Sequence, residues 1–488
     1  MLYSRELKPT GEYAMAAVTS DLCYLTATEA LAAFKARKLS PLELMQAVIA
    51  RCETVNPKVN AITYDFYERA LKQARAAEKV YAARKPRPRA LEGISVAVKD
   101  FHPVKGEITT FGSRIFEHNR PDYTAATVER LFKAGAIMHA RSTTPEFAYS
   151  GNTHSPLWGQ TRNPWNLDYV SGGSSGGSGA MVAAGMTTLA DGTDGGGSIR
   201  IPASACGVVG YKAPFGRNPL DRDHPLESLL HYGPITRSVA DAALMQNVMS
   251  GPHADDLCSL PDKVVIPESF ESLKGWKVAL SVDLGYVQVD PEVERNTRAA
   301  AEVFRKLGCT VEEVDLGWDW GVLDCWLTWW EGLFAGVAAQ YLPRWRYEMD
   351  PFVVNLLDKG RAHDGMRLYQ CNLKRGDMWR KLAPIVNKYD VLLCPTLAVP
   401  AVKTDHDEFS TSYTINGKPV NAYVGWIMTH GFNLVSQCPA MSVPSGFSKS
   451  GVPTGLQIVA RPFDDLRVFR AASAFEQAKP WRRKKPTV

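Results

Sequence analysis

Apolar residues return at helical spacing over residues 25–38. Ser40-Pro41-Leu42-Glu43 follows as a capping box with proline at the first helical position, where its missing N–H costs nothing. A further helix is expected over 65–84, ending at the KPRPR stretch, so the first ninety residues read as a helical wrap. At Ile94 the pattern changes to ISVAVKD, a β-branched run that predicts a buried strand ending in a charged pair. Helices at 125–134, 239–249 and 292–307 then alternate with strands at 136–140, 276–281 and 309–314. Strand pattern resumes at 391–394, at 441–443 and in TGLQIVARPF from Thr454, before a helix at 465–478. This alternation predicts an α/β fold with a large sheet layered by helices. No repeat at a fixed period interrupts it.

One stretch departs from both periods. From Ser171 to Ser198, ten of 28 residues are Gly and five are Ser. A flexible linker has such a composition. Here, however, the two Gly-rich patches are separated by AMVAAGMTTLAD, an apolar run suited to a buried helix and strand. The glycines therefore belong to a core element whose backbone another group approaches closely.

Composition narrows the class. The chain has 488 residues, long enough for one large α/β domain with insertions or for two or three ordinary domains. With 56 basic and 51 acidic residues the net charge is +5, too balanced to imply a nucleic-acid partner. Nine cysteines are scattered, odd in number and never spaced CxxC, which argues for reduced thiols and against a disulfide frame or zinc site. The start, MLYSRELKPTGEY, has no apolar signal region, and no later segment offers about 18 uninterrupted apolar residues. A soluble, cytoplasmic protein without a membrane partner is expected. The basic end WRRKKP reads as a solvated terminus.

The loops GGSSGG and GTDGGGS carry serines, and a serine nucleophile needs a base and donors aimed at the developing oxyanion. Gly195, Gly196, Gly197 and Ser198 offer successive backbone N–H groups with no side chains in the way, so they form the candidate oxyanion hole, with Ser198 placed to attack. None of the ten histidines lies in a local pattern that singles it out as a triad base; each reads as surface or structural. Lys99, at the end of an apolar strand, is the best-placed alternative, because burial disfavours the ammonium form. A lysine in that position serves equally well as an ion-pair partner. No GxxxxGK[ST] phosphate loop occurs.

VAVKD, KGEITTFGS, RNPWNLDYVSGGSSGGSGA, GTDGGGSIRIPASACGVVGYKAP, CPAMSVPSGF and GVPTGLQIVARPFDD, in that order and spacing, resemble the amidase signature family of Ser-Ser-Lys hydrolases. The likeness runs over residues 25–480. It implies one amidase domain over 1–488: the helical wrap, a catalytic core over 91–260 around a large mixed central sheet with helices on both faces, and a variable, aromatic-rich insertion over 316–385. It places the family's catalytic lysine on Lys99, its bridging serine on Ser174 after a cis Gly173–Ser174 peptide, and its nucleophile on Ser198. No cofactor or metal is implied. Thr193, Asp194 and Arg200 match positions that brace the loop, Ser175 and Ser178 read as backbone-capping neighbours, and Cys206 as a small buried residue. The family commonly has Ile or Thr at position 195, so Gly195 implies a looser loop or more room at the acyl carbon.

Half of the twelve tryptophans (Trp318, Trp320, Trp326, Trp329, Trp330 and Trp345) lie between Gly317 and Trp345, inside the variable insertion. Clustered tryptophan packs a core or walls a pocket for an aromatic or long aliphatic group. Tyr149, Trp330 and Trp426 are the expected wall residues. The function expected is an amidohydrolase acting on small-molecule amides, anilides, aryl esters or carbamates (urethanes), as a monomer or homodimer. The alternative is the A-type amidotransferase subunit of a tRNA-dependent amidation complex.

Overall fold

The structure is a computed structural model that describes residues 21–224 and 226–488. The expectation about an N-terminal signal region falls outside the described residues. Eleven strands form one mixed sheet: β1 Ile62–Asp65, β2 Ser95–Lys99, β3 Ile137–Ser142, β4 Leu189–Thr193, β5 Val209–Lys212, β6 Tyr232–Thr236, β7 Lys277–Leu280, β8 Thr310–Glu313, β9 Val391–Pro395, β10 Ala440–Phe447 and β11 Pro453–Val459. Their order is β1-β3-β2-β4-β6-β5-β10-β11-β9-β7-β8. β2 runs parallel to both β3 and β4, whereas the centre from β4 to β9 is antiparallel. β2, β3 and β4 are buried along their whole length, which is why none of them shows the alternation of a strand with one face in water.

Most expected elements form within a residue or two of their predicted bounds. The capping box at Ser40 is present, with Ser40 Oγ accepting from the Glu43 N–H and Glu43 reaching back to the Ser40 N–H. Three strands of the central sheet have no counterpart in the sequence reading. β5 and β6 carry glycine or proline, which lowers strand propensity, but the sheet interior pairs them on both edges. β1 lies inside the expected helical wrap: the helix begins at Tyr67, and residues 62–65 instead pair with β3. The basic terminus is not free in solvent. Arg482 pairs with Glu29, Lys485 with Asp21, and the Trp481 indole donates to the Arg237 carbonyl at 3.1 Å.

Every residue from 171 to 200 is buried, which excludes the linker reading. Gly176–Ala183 forms a helix and Leu189–Thr193 becomes β4, so the two Gly-rich patches sit at adjoining ends of core elements. Between β8 and β9 the chain is entirely helical apart from its connections, with helices at Gly321–Ala338, Pro351–Gly360 and Gly365–Lys388 packed on one another. Among the described residues no helix is long and apolar enough to cross a membrane.

Candidate active site

β2 ends at Lys99, in the parallel part of the sheet. The ladder with β4 stops at Ala97–Ala190, and the Lys99 N–H donates instead to Asp191 Oδ1 at 2.7 Å. The Lys99 side chain is fully buried, its Nζ 2.7 Å from Ser174 Oγ and 2.7 Å from Thr193 Oγ1. Burial pushes the amine down to about 7, against the opposing pull of Asp191 and Asp194. Ser174 enters the helix Gly176–Ala183 through a cis Gly173–Ser174 peptide. Its Lys99 link is formed. Ser198 Oγ, by contrast, has no protein hydrogen-bond partner among the described residues, and the two hydroxyls meet only as lining of one cavity.

Ser198 follows β4 on a loop whose conformation is held from outside. The Gly195 carbonyl accepts from Trp326 Nε1 at 3.0 Å, the Gly196 carbonyl from Thr429 Oγ1 at 2.5 Å, and the Gly197 carbonyl from the Ile201 N–H at 2.6 Å. In a trans peptide the next N–H points the opposite way, so these three bonds aim the N–H groups of Gly196, Gly197 and Ser198. Among the described residues none of the four N–H groups from Gly195 to Ser198 has a protein acceptor. Buried N–H groups are nearly always paired, so a run of four without a protein acceptor leaves this loop free to donate to a bound group.

Beneath the loop, Arg200 grips Asp194 with Nε at 2.9 Å and Nη2 at 2.8 Å, and also donates to Gln457, Asn433 and the Thr429 carbonyl. Burial would raise the Asp194 carboxyl, but Arg200 and Asn433 outweigh it and hold it below the usual carboxylate range. Asp194 and Arg200 thus brace the loop, as expected. Thr193 does more, since its hydroxyl touches the Lys99 amine. Ser175 bonds both the N–H and the carbonyl of Thr193, while Ser178 pairs with Ser142 at 2.7 Å. Cys206 is a small buried residue whose thiol donates to the Ser171 carbonyl.

The open room expected at Gly195 is absent. A methyl group there would lie 2.7 Å from the Trp330 ring, and one at Gly196 would overlap Trp326. The two indoles stack at 5.0 Å against the loop, so the glycines are the counterpart of the tryptophans.

A cavity of about 450 Å³ opens from Ser174, Thr193, Gly195 and Ser198. Its walls are Phe101, Phe111, Phe116, Phe147, Trp330 and Phe334, and charged residues Asp122, Arg222, Asp223 and Glu227 also line it. Of the three expected wall residues, Trp330 lines this cavity. Tyr149 lines a second, much smaller one that also touches Ser198, and Trp426 lines neither. Trp426 is core, packed beside Gly151 and donating to the Tyr423 carbonyl. The phenylalanine wall was missed because its members lie on separate loops with no common spacing.

The amidase family profile matches residues 43–469. An acylamidase from Rhodococcus erythropolis is 36% identical over 474 residues, covering 96% of this chain and 98% of the relative. The solved structure of a bacterial aryl acylamidase of the amidase signature family superimposes with a TM-score of 0.88 at 30% identity, covering 95% of this chain and 98% of that one. The A-type subunit of the glutamyl-tRNA(Gln) amidotransferase from Geotalea daltonii is 33% identical, covering 96% of this chain and all of the relative. The fold and the site are those of a hydrolase acting on carbon–nitrogen bonds other than peptide bonds. The chain belongs to the amidase signature family.

Proposed function

We propose that the protein is an amidohydrolase that cleaves the amide C–N bond of substrates bearing a bulky apolar or aromatic group, anilides foremost, through an acyl-enzyme on Ser198. Lys99 in its neutral form accepts a proton from Ser174 as Ser174 accepts one from Ser198, and Ser198 Oγ bonds to the carbonyl carbon. The carbonyl π pair moves onto oxygen, where the open N–H groups from Gly195 to Ser198 receive it. The C–N bond then breaks, the leaving nitrogen takes the Ser174 proton, and Ser174 is reprotonated from Lys99. Water hydrolyses the ester by the same relay. The observation that carries this reading is the buried amine within hydrogen-bond reach of Ser174 at the base of an aromatic cavity that Ser198 also lines.

Aryl esters and aryl carbamates present the same carbonyl to the same groups and belong to the expected range. The rival reading, an A-type amidotransferase subunit in a tRNA-dependent amidation complex, is favoured by the Geotalea relative. The aromatic wall supports a free-standing hydrolase. Purified chain alone should turn over p-nitroacetanilide and form an acyl adduct at Ser198 visible by mass spectrometry; turnover that appears only with partner subunits would establish the rival.

Two consequences are measurable. Only the neutral amine can accept the relay proton, so kcat/KM should be low where Lys99 is charged and rise with pH through about 7. A profile flat from pH 5 to 9 contradicts a lysine base. Phe334 lines the cavity next to Trp330, its ring centroid 4.9 Å from that indole. Phe334→Ala should raise KM for anilides roughly tenfold, about 1.4 kcal/mol of lost apolar contact, and leave acetamide turnover nearly unchanged. Equal effects on both substrates would remove the aromatic wall from the recognition account.

A further inference from the structure

Behind Lys99 lies a second cluster of ionisable groups that the acyl-transfer relay does not use. Asp191 accepts the Lys99 backbone N–H through Oδ1. Its other oxygen has no hydrogen-bond partner and lies 3.6 Å from His102 Nε2. On the far side His102 Nδ1 is 4.0 Å from Asp221 Oδ2, which also accepts from the Tyr232 hydroxyl at 2.8 Å. Lys99, Asp191, His102 and Asp221 are all buried, and both imidazole nitrogens are without partners in hydrogen-bond geometry among the described residues. Such a concentration of open polar atoms is rare in a protein interior unless the groups exchange charge or share enclosed water.

The charged and titratable neighbours come from every surrounding element. Asp100, which follows β2, is held by Arg141 on β3 and by both the N–H and the hydroxyl of Thr110, so its charge is already neutralised. Asp194 is neutralised by Arg200. Asp221 is bonded to Tyr232 on β6, and His224 stacks on Phe101 at 5.3 Å. Asp191 is the one carboxyl of this group that bonds directly to the Lys99 residue; the buried Arg141 guanidinium, two of whose nitrogens are unpaired, also draws on its charge without making an ion pair with it.

We propose that Asp191 is a positioning residue for the Lys99 base: its carboxylate, held in place by the Lys99 N–H and supported by His102, is the counter-charge that sets how readily the buried amine holds its proton. This rests on Lys99 being the base. Asp191 fixes the direction of the backbone that delivers the amine, and its negative charge opposes the desolvation that lowers the amine's hold on its proton. Burial in turn pushes the Asp191 carboxyl up, and the His102 imidazole, neutral because burial holds it well below its usual range, has one N–H to offer that carboxylate.

The test is the pH profile of kcat/KM on one anilide. Asp191→Asn keeps an acceptor for the Lys99 N–H and removes only the charge. Its acid limb should move down by about one pH unit or more, with KM and thermal midpoint close to those of the parent. His102→Leu should move the limb the same way by less, and His102→Gln, which keeps a donor, should restore it. A limb that stays in place in Asp191→Asn, or moves up, overturns the proposal. Should Asp191→Asn fail to fold, the His102 pair decides: equal limbs in His102→Leu and His102→Gln also overturn it. Lys99→Met separates the two layers. If it keeps the parent's activity and acid limb, the base assignment itself fails; if it is inactive while Asp191→Asn is unshifted, only the counter-charge fails.

Discussion

Ser198→Ala should lower kcat on an anilide by about 10⁴- to 10⁶-fold, the range seen when a serine nucleophile is removed from a working relay. The loss should fall on kcat and not on KM, because the cavity proposed to bind the substrate is walled by Phe101, Phe116, Phe147, Phe334 and Trp330, which the substitution leaves unchanged. Lys99→Met should cost a similar amount. It replaces a fully buried amine with an apolar side chain of similar length, so the protein should stay folded and the effect should be read in turnover alone. The double variant should be scarcely worse than either single one, since a nucleophile without its base and a base without its nucleophile fail at the same step. Additive losses in the double variant would mean that the two residues act in separate events. Acyl adducts should be absent from Ser198→Ala at every pH.

Gly196→Ala is expected to lower kcat about 10²- to 10³-fold, far more than a substitution in the cavity wall. The added methyl would overlap the Trp326 indole, whose Nε1 holds the Gly195 carbonyl and thereby aims the Gly196 N–H. Either the indole retreats and the bond is lost, or the loop shifts and its donors leave the oxyanion position. Trp326→Phe removes that bond but keeps most of the packing, so its own cost should be about tenfold. In the Gly196→Ala background a smaller side chain, Trp326→Leu, should recover part of the lost rate by making room. No recovery would show that the methyl acts on something other than this contact. Gly197 makes a second control: its φ of +132° lies where side chains are strained, so Gly197→Ala should lower the thermal midpoint as well as the rate.

Of the residues proposed for the relay, Lys99 at a strand end and Ser198 in a glycine run stand out in the sequence by themselves, whereas Ser174 is singled out only by the family resemblance. The brace by Asp194 and Arg200 was legible through that resemblance too, the two being six residues apart on one loop and helix start. Trp426 was misread as a pocket wall because its proximity to a motif along the chain says nothing of which side of the sheet its ring occupies; it is core. The vacancy expected at Gly195 failed in a related way, since the group that fills it comes from a helix 135 residues further along. His102 was dismissed for want of a local pattern, and its partners Asp191 and Asp221 reach it from separate segments of the chain.

By itself, then, the sequence determined the alternating α/β framework and the family, because strand and helix periods and the short motifs that carry the family resemblance are written in neighbouring residues. The tertiary structure alone decided which indoles press the glycine loop into shape, which phenyl rings line the cavity beside it, and which carboxyl holds the Lys99 backbone N–H. Those depend on contacts between residues tens to hundreds of positions apart, where spacing carries no signal and only the packed sheet brings the partners together.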